Sequence, residues 1–304
     1  MYPCSNPELV AAVSESGGIG IVQPISLTYV HGYSFQEGLR YIRSLTSKPI
    51  GMNALIEKGS KRYQAKMVNW INLALEEGVR FFITSMGKPD WVVKLVHASG
   101  GVVYHDATEQ KWALKAVDCG VDGLIAVNNR AGGHTGRKSR QELYQELSTF
   151  QIPIICAGGV GNETDFKEAL DLGYAGVQMG TRFIATEECK VASNYKEAIV
   201  NASEKDVVLT ECISGVPVSV INTPYIKRMG LKAGLFARWM LRHNQTKHLM
   251  RLFYILKSLR LSKKAIFDQT GSTKLWGAGK SVVGISKIQP VAEIMRTFTD
   301  SLKK

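Results

Sequence analysis

The chain of 304 residues has no uninterrupted apolar run of the ~18 residues that a membrane-spanning helix needs, so a helical span is not expected. Its first residues, Met1-Tyr2-Pro3-Cys4-Ser5, carry neither the basic nor the apolar region of a secretory leader. Cysteine is scarce: Cys4, Cys119, Cys156, Cys189 and Cys212 are odd in number, far apart, and include no Cys-x-x-Cys pair. That usage argues against a disulfide framework and against a metal cluster, and a reducing cytoplasm is the expected location. Acidic residues are missing altogether between Lys227 and Lys264, where eleven Lys or Arg stand against a formal net charge of +12 for the whole chain. The basicity therefore belongs to one segment, and the remainder is close to neutral. No recognition motif accompanies that charge, so nucleic acid is not expected as a partner.

What is present is an alternation. Short apolar runs at residues 18–25, 49–56, 80–86, 101–105, 123–128, 152–157 and 175–179 are separated by amphipathic stretches such as 63–77, 109–119 and 163–172. Buried parallel strands read as near-continuous apolar runs, and each parallel connection needs a crossover helix. Glycines at Gly78, Gly120 and Gly173 close the helices before the next strand. The expectation is an α/β fold of the TIM (β/α)8 type. Seven strands are one short of eight. The first helix signal, Ser5-Asn6-Pro7-Glu8, begins so early that the strand feeding it would lie before Met1. Residues 191–275 read as helical, punctuated by Gly215-Val216-Pro217 and Asn222-Thr223-Pro224, before a glycine-rich turn at 276–281 and a last helix. The expected organisation is a barrel of residues 1–190 with 276–304, interrupted by a basic helical cap at 191–275.

Barrels of this kind carry their sites at the carboxyl ends of the strands, where the βα loops converge. Two neighbouring strand ends here finish in small residues: Gly158-Gly159-Val160-Gly161 and Gly180-Thr181. Unpaired backbone amides at such a loop, backed by a helix dipole, suit a phosphate. A third strand end leads into Asn128-Asn129-Arg130-Ala131-Gly132-Gly133-His134-Thr135-Gly136. Glycines let a ligand approach the backbone closely, and an imidazole moves protons near neutral pH. Tight turns and a solvated loop histidine are the plainer reading of the same residues.

Ala131-Gly132-Gly133-His134-Thr135-Gly136, Ala157-Gly158-Gly159-Val160 and Met179-Gly180-Thr181-Arg182-Phe183, in that order, resemble the nitronate monooxygenase (2-nitropropane dioxygenase-like) family. They also resemble the flavin-dependent enoyl-acyl-carrier-protein reductases that share its fold. Ser5-Asn6-Pro7-Glu8 and Gly17-Gly18-Ile19-Gly20 fit the same pattern, and the likeness runs over most of residues 5–225. It implies FMN across the barrel mouth, with the phosphate at Gly158, Gly159, Gly180 and Thr181. Gly132, Gly133, Asn53 and Gln23 would lie near the cofactor. His134 would take the substrate's α-proton or hold its anion. The implied reaction converts a nitronate and O2 into a carbonyl compound and nitrite.

Two residues depart from the pattern. Asp106 stands where many relatives have a lysine, and Lys280 stands where they commonly have glutamine; Lys280 is a candidate substrate contact. The alternative is an NAD(P)H-dependent FMN reductase of quinones or enoyl thioesters, although no separate dinucleotide fingerprint is present. The basic segment at 227–264 suits an acidic protein or an anionic membrane surface, or is a cap with one solvated face. A non-enzymatic barrel using that segment for binding is the third reading.

Overall fold

The computed structural model describes residues 1–57, 59–234, 243, 246–268 and 274–303. Seven parallel strands pair in chain order: β1 (Gly20–Val22), β2 (Ile50–Ile56), β3 (Phe81–Met86), β4 (Val102–Ala107), β5 (Gly123–Val127), β6 (Ile154–Ala157) and β7 (Gly176–Gln178). Helices α1 (Pro7–Glu15), α2 (Phe35–Leu45), α3 (Lys61–Glu76), α4 (Asp90–His97), α5 (Gln110–Val117), α6 (Arg140–Leu147) and α7 (Glu163–Asp171) alternate with them. This is the expected TIM-type architecture, with strand limits that shift by one to three residues. Local chemistry sets the helix starts. Ser34 and Ser139 form capping boxes with Glu37 and Glu142, and the Asn162 side chain accepts from the Asp165 amide.

Alternation along the strands divides the sheet into two faces. Val22, Met52, Phe82, Val103, Leu124 and Cys156 pack against helix residues such as Leu39, Trp70, Val92, Ala113 and Leu143 in the main core. Ile83, Ile125, Val127 and Ala157, with Ile21, Phe81, Tyr104 and Ile155, form a separate cluster on the inner face. The sheet stays open between β7 and β1 among the described residues. Residues 1–5 lie there: the Ser5 hydroxyl donates to Ile21 O at 2.9 Å, and the Met1 thioether rests on Gly180.

Beyond β7 come α8 (Thr181–Ile184) and α9 (Ser193–Val200). The expectation of a wholly helical insertion at 191–275 is corrected here. An antiparallel hairpin of β8 (Val207–Thr210) and β9 (Val218–Ile221) precedes α10 (Pro224–Met229) and α11 (Lys247–Phe267). Both strands are rich in β-branched residues, and Gly215, at φ +75°, lies in the turn between them. The chain closes with α12 (Val291–Ser301). The middle of the basic segment, residues 235–242 with Trp239 and residues 244–245, lies outside the described residues, as do 269–273. No helix among the described residues is long and apolar enough to cross a membrane.

Strand β9 is where the insertion meets the barrel. Ser219 N donates to Gly133 O at 2.9 Å, and the Ser219 hydroxyl donates to Ala278 O at 2.7 Å. Val220 bridges Gly277, and Ile221 N donates to Trp276 O at 2.9 Å. Removing the buried hydroxyl strands the Ala278 carbonyl. Ser219→Ala is therefore expected to lower the unfolding free energy by about 1–3 kcal/mol. Urea denaturation of the two chains measures this, and a difference near zero would show that the bond contributes nothing net.

Candidate active site

The inner face changes character toward the strand ends. Asn53 is in register with Ile83, Asp106 with Ile125 and Gln178 with Ala157, so all three share the side of the inner cluster. Their in-register neighbours are apolar, so these three are polar side chains set into an otherwise apolar face. Asp106 Oδ1 and Gln178 Oε1 are buried without a hydrogen-bond partner. Burial pushes the Asp106 carboxyl up to about 7, against the opposing pull of the Met1 amino group. Gln23, one residue past β1, is buried, and its Oε1 accepts from Ser26 N at 2.6 Å. It thereby caps its own loop, the π-helical turn Ser26–Val30.

The two expected phosphate loops differ in what surrounds them. At Gly180 a side chain would meet only the Met1 sulfur, at 3.4 Å. The Thr181 hydroxyl oxygen accepts from Gly279 N at 2.9 Å, tying this tip to the late glycine turn. Gly158 and Gly159, both at positive φ, are tightly packed by the neighbouring loop. A β-carbon at Gly158 would lie 2.5 Å from Ala131 N, and one at Gly159 would lie 2.9 Å from the Arg130 side chain. A guanidinium therefore covers Gly159. Sequence reasoning missed Arg130, although it stands inside the quoted loop.

Arg130 NH1 and Lys280 Nζ both bind Glu204, at 3.0 and 3.1 Å, and Lys280 N donates to Arg130 O at 2.9 Å. Lys280 is thus brought to the loop that carries His134, but its ammonium is engaged by a carboxylate. The pairing holds the Glu204 carboxyl below its usual range.

His134 sits on an open part of that loop. Gly133, at φ +71°, has no atom within 4 Å of where a β-carbon would be, whereas Gly132 packs against Gly279 N at 3.0 Å. The Thr135 hydroxyl donates to Asn128 O at 2.7 Å and closes the loop base. The imidazole has solvent access on one side, yet enough protein surrounds it to push its pKa below the usual value. His134 Nε2 lies 3.3 Å from Ser214 Oγ, whose hydroxyl donates to Val216 O at 2.9 Å. With its proton so directed, Ser214 can only accept. His134 Nε2 therefore carries the hydrogen, and Nδ1 keeps the lone pair. Among the described residues, no group of three His, Cys, Asp or Glu is placed to hold a metal ion.

The barrel, taken with the family to which it belongs, makes this an enzyme of the flavin-dependent oxidoreductase class. The chain belongs to the nitronate monooxygenase family, whose model matches residues 1–301. It is 28% identical over 226 residues to (3aS,4S,5R,7aS)-5-hydroxy-7a-methyl-1-oxo-octahydro-1H-indene-4-carboxyl-CoA dehydrogenase of Rhodococcus jostii, covering 74% of this chain and 62% of that one. It is 26% identical to a probable nitronate monooxygenase of Staphylococcus aureus, over 77% of each chain. Among solved structures it resembles FabK from Thermotoga maritima, with a TM-score of 0.80 at 28% identity, covering 100% of this chain and 90% of that one. It shares its fold with nitroalkane oxidase from Streptomyces ansochromogenes, with a TM-score of 0.73 at 20% identity over 99% and 93% of the two chains.

The Ser214 contact makes a spectroscopic prediction. Nitrogen chemical shifts of the labelled His134 ring should report the Nε2–H tautomer and a pKa below 6.5, the ordinary value. In Ser214→Ala the tautomers should mix; a wild-type ring already mixed, or titrating above that value, would refute the assignment.

Proposed function

We propose that this enzyme binds FMN across the barrel mouth and oxidises alkyl nitronates with O2 to carbonyl compounds and nitrite. The observation that carries the reading is His134: an imidazole on a glycine loop, with Nε2 against Ser214 and its pKa pushed down by burial. The residues present suit a flavin. Gly133 and Gly180 leave room at the backbone, and Asp106 Oδ1 and Gln178 Oε1 are buried atoms in need of partners. Gly180 and Thr181 would hold the phosphate, with Gly158 and Gly159 completing the cradle beside Arg130. Gln23, Asn53, Gly132 and Gly133 would line the ring. Bound FMN supplies the electron transfer from nitronate and to O2.

The chain's own contribution is proton handling and placement. His134 Nδ1 takes the α-proton of a neutral nitroalkane, and the resulting imidazolium holds the anion. Ser214 keeps the ring in the productive tautomer. The Glu204 bridge between Arg130 and Lys280 holds the histidine loop against the late turn. Lys280 would reach substrate only by leaving Glu204.

A second reading has its own support. The Rhodococcus jostii relative is named a carboxyl-CoA dehydrogenase, and a thioester carrier, phosphorylated or acidic, suits eleven basic residues at 227–264. This reading makes the protein an NAD(P)H-dependent FMN reductase of enoyl thioesters or quinones. NADH alone should then bleach the bound flavin rapidly, whereas the nitronate reading expects bleaching by nitronate under anaerobic conditions and nitrite in air.

His134→Ala should retain flavin and lose turnover by about 10²–10⁴-fold. The proton-accepting form of His134 is the neutral one, so kcat/KM for a neutral nitroalkane should rise with pH and level off. The inflection should fall below 6.5 in the wild type, because burial pushes His134 down. Steady-state nitrite release across pH measures both, and unchanged turnover in the variant removes His134 from the chemistry. Gly180→Val adds its side chain toward the flexible Met1 thioether alone. It should fold as the wild type does by circular dichroism while binding FMN at least about tenfold more weakly. Equal affinity would move the phosphate elsewhere.

A further inference from the structure

Asp106, the fifth of six residues in β4, is an ionisable side chain aimed into the barrel mouth, in register with Ile125 of the inner cluster. Its Oδ1 is buried and accepts no hydrogen bond. The charged group that acts on it is the Met1 amino group, with Cys4 beside that amine. The neighbouring His105 faces the other side of the sheet, where its Nδ1 pairs with the Thr84 hydroxyl at 2.8 Å. Across the mouth, Gln178 Oε1 is likewise buried without a partner. Both atoms belong to residues on the inner face of the sheet. Desolvation disfavours the charged carboxylate there and holds the group up to about 7.

We propose that Asp106 meets the flavin as a protonated carboxylic acid that donates a hydrogen bond to a polar edge of the ring, and that its ionisation weakens flavin binding. The inference rests on the flavin reading above. A flavin presents chiefly carbonyl oxygens and ring nitrogens that accept, and an ionised carboxylate can only accept. Ionised, Asp106 would set acceptor against acceptor and place a negative charge beside a ring that becomes electron-rich on reduction. Protonated, it supplies the missing donor. No covalent step is involved; the proton stays on the carboxyl while the complex lasts.

The test uses the flavin-free full chain with FMN as the probe, followed by quenching of flavin fluorescence from about pH 6 to about pH 9. If the protonated form binds, the wild-type Kd rises by up to about tenfold per pH unit above the carboxyl's own pKa. Asp106→Asn keeps a donor of the same shape and cannot ionise, so its Kd should stay flat over the same range. A flat wild-type profile, or an Asn variant that keeps the slope, overturns the proposal; the second result would assign the titration to another group such as the Met1 amine. Binding with an unchanged slope sinks only the role of Asp106. No FMN binding by either chain at any pH sinks the flavin reading as well.

A second arm needs no flavin. The folded carboxyl is raised from its ordinary 3.8 to about 7, so its contribution to stability is complete at low pH and is lost as pH rises through that window. Asp106→Asn should remove that downward slope from thermal unfolding followed against pH. Identical slopes in the two chains would show that Asp106 does not titrate there and would overturn the proposal.

Discussion

One backbone strand holds the site together. β9 donates from Ser219 N to the Gly133 carbonyl on one side and reaches Ala278, Gly277 and Trp276 on the other. A loop just past β5 and a turn almost 150 residues later are thereby parts of one sheet-like layer over the barrel mouth. At the base of the histidine loop the Asn129 amide donates to Lys138 O at 2.8 Å and the Thr135 hydroxyl to Asn128 O at 2.7 Å, while its glycine end is held by β9. Glycine loops gain close ligand approach at the expense of backbone entropy, and something rigid must fix them. Here the stacked pair of Tyr195 and Trp276, with ring centroids 5.5 Å apart and planes 7° from parallel, supplies the rigid backing. The Tyr195 hydroxyl donates to Gly277 O at 2.5 Å, fixing the turn from beneath.

The same layer explains why the cationic residues near the site are paired. Arg130 and Lys280 come from the two segments that β9 joins, and Glu204 precedes the hairpin that contains β9. Each of these ion pairs is partly exposed and adds little stability by itself. Their value is geometric: one carboxylate ties together three segments that also share backbone hydrogen bonds. Arg130 lies over Gly159, so positive charge stands at one proposed phosphate loop even though Lys280 is turned toward Glu204.

The barrel was legible in the sequence because the strands are short, mostly apolar runs, with β5 buried throughout. Runs such as Ile154-Ile155-Cys156-Ala157 have no polar alternation, and glycines close the helices between them. The positions of Gly158 and Gly180 at strand ends, and of His134 on the loop after β5, were legible because short apolar runs precede them. What escaped the reading depends on contacts across long sequence separations. The hairpin was hidden within the stretch 191–275, read as helical, although Val207-Val208-Leu209-Thr210 and Val218-Ser219-Val220-Ile221 flank a glycine turn and signal strands. Arg130 looked like one more loop residue, and Ser214 gave no signal because its meaning lies 80 residues away on His134. Gln23 was expected at the cofactor, and that its side-chain oxygen also holds the start of the π-helical turn had no local signal.

The inner face of the sheet carries a polar signal independent of any motif. Ile21, Phe81, Ile83, Tyr104, Ile125 and Ile155 form its apolar cluster, as a packed interior requires. Asn53, Asp106 and Gln178 stand on the same face, in register with Ile83, Ile125 and Ala157, and two of the three keep buried atoms unsatisfied. A packed barrel gains nothing from such atoms, since each unmade hydrogen bond costs about 1–3 kcal/mol. Close-packed apolar residues at those positions would make a more stable protein. The proposed flavin would complete these hydrogen bonds, reaching residues of strands β2, β4 and β7. On the proposed reading, these polar residues and the histidine loop face one ligand, the first from the inner face of the sheet and the second from the layer that β9 fastens.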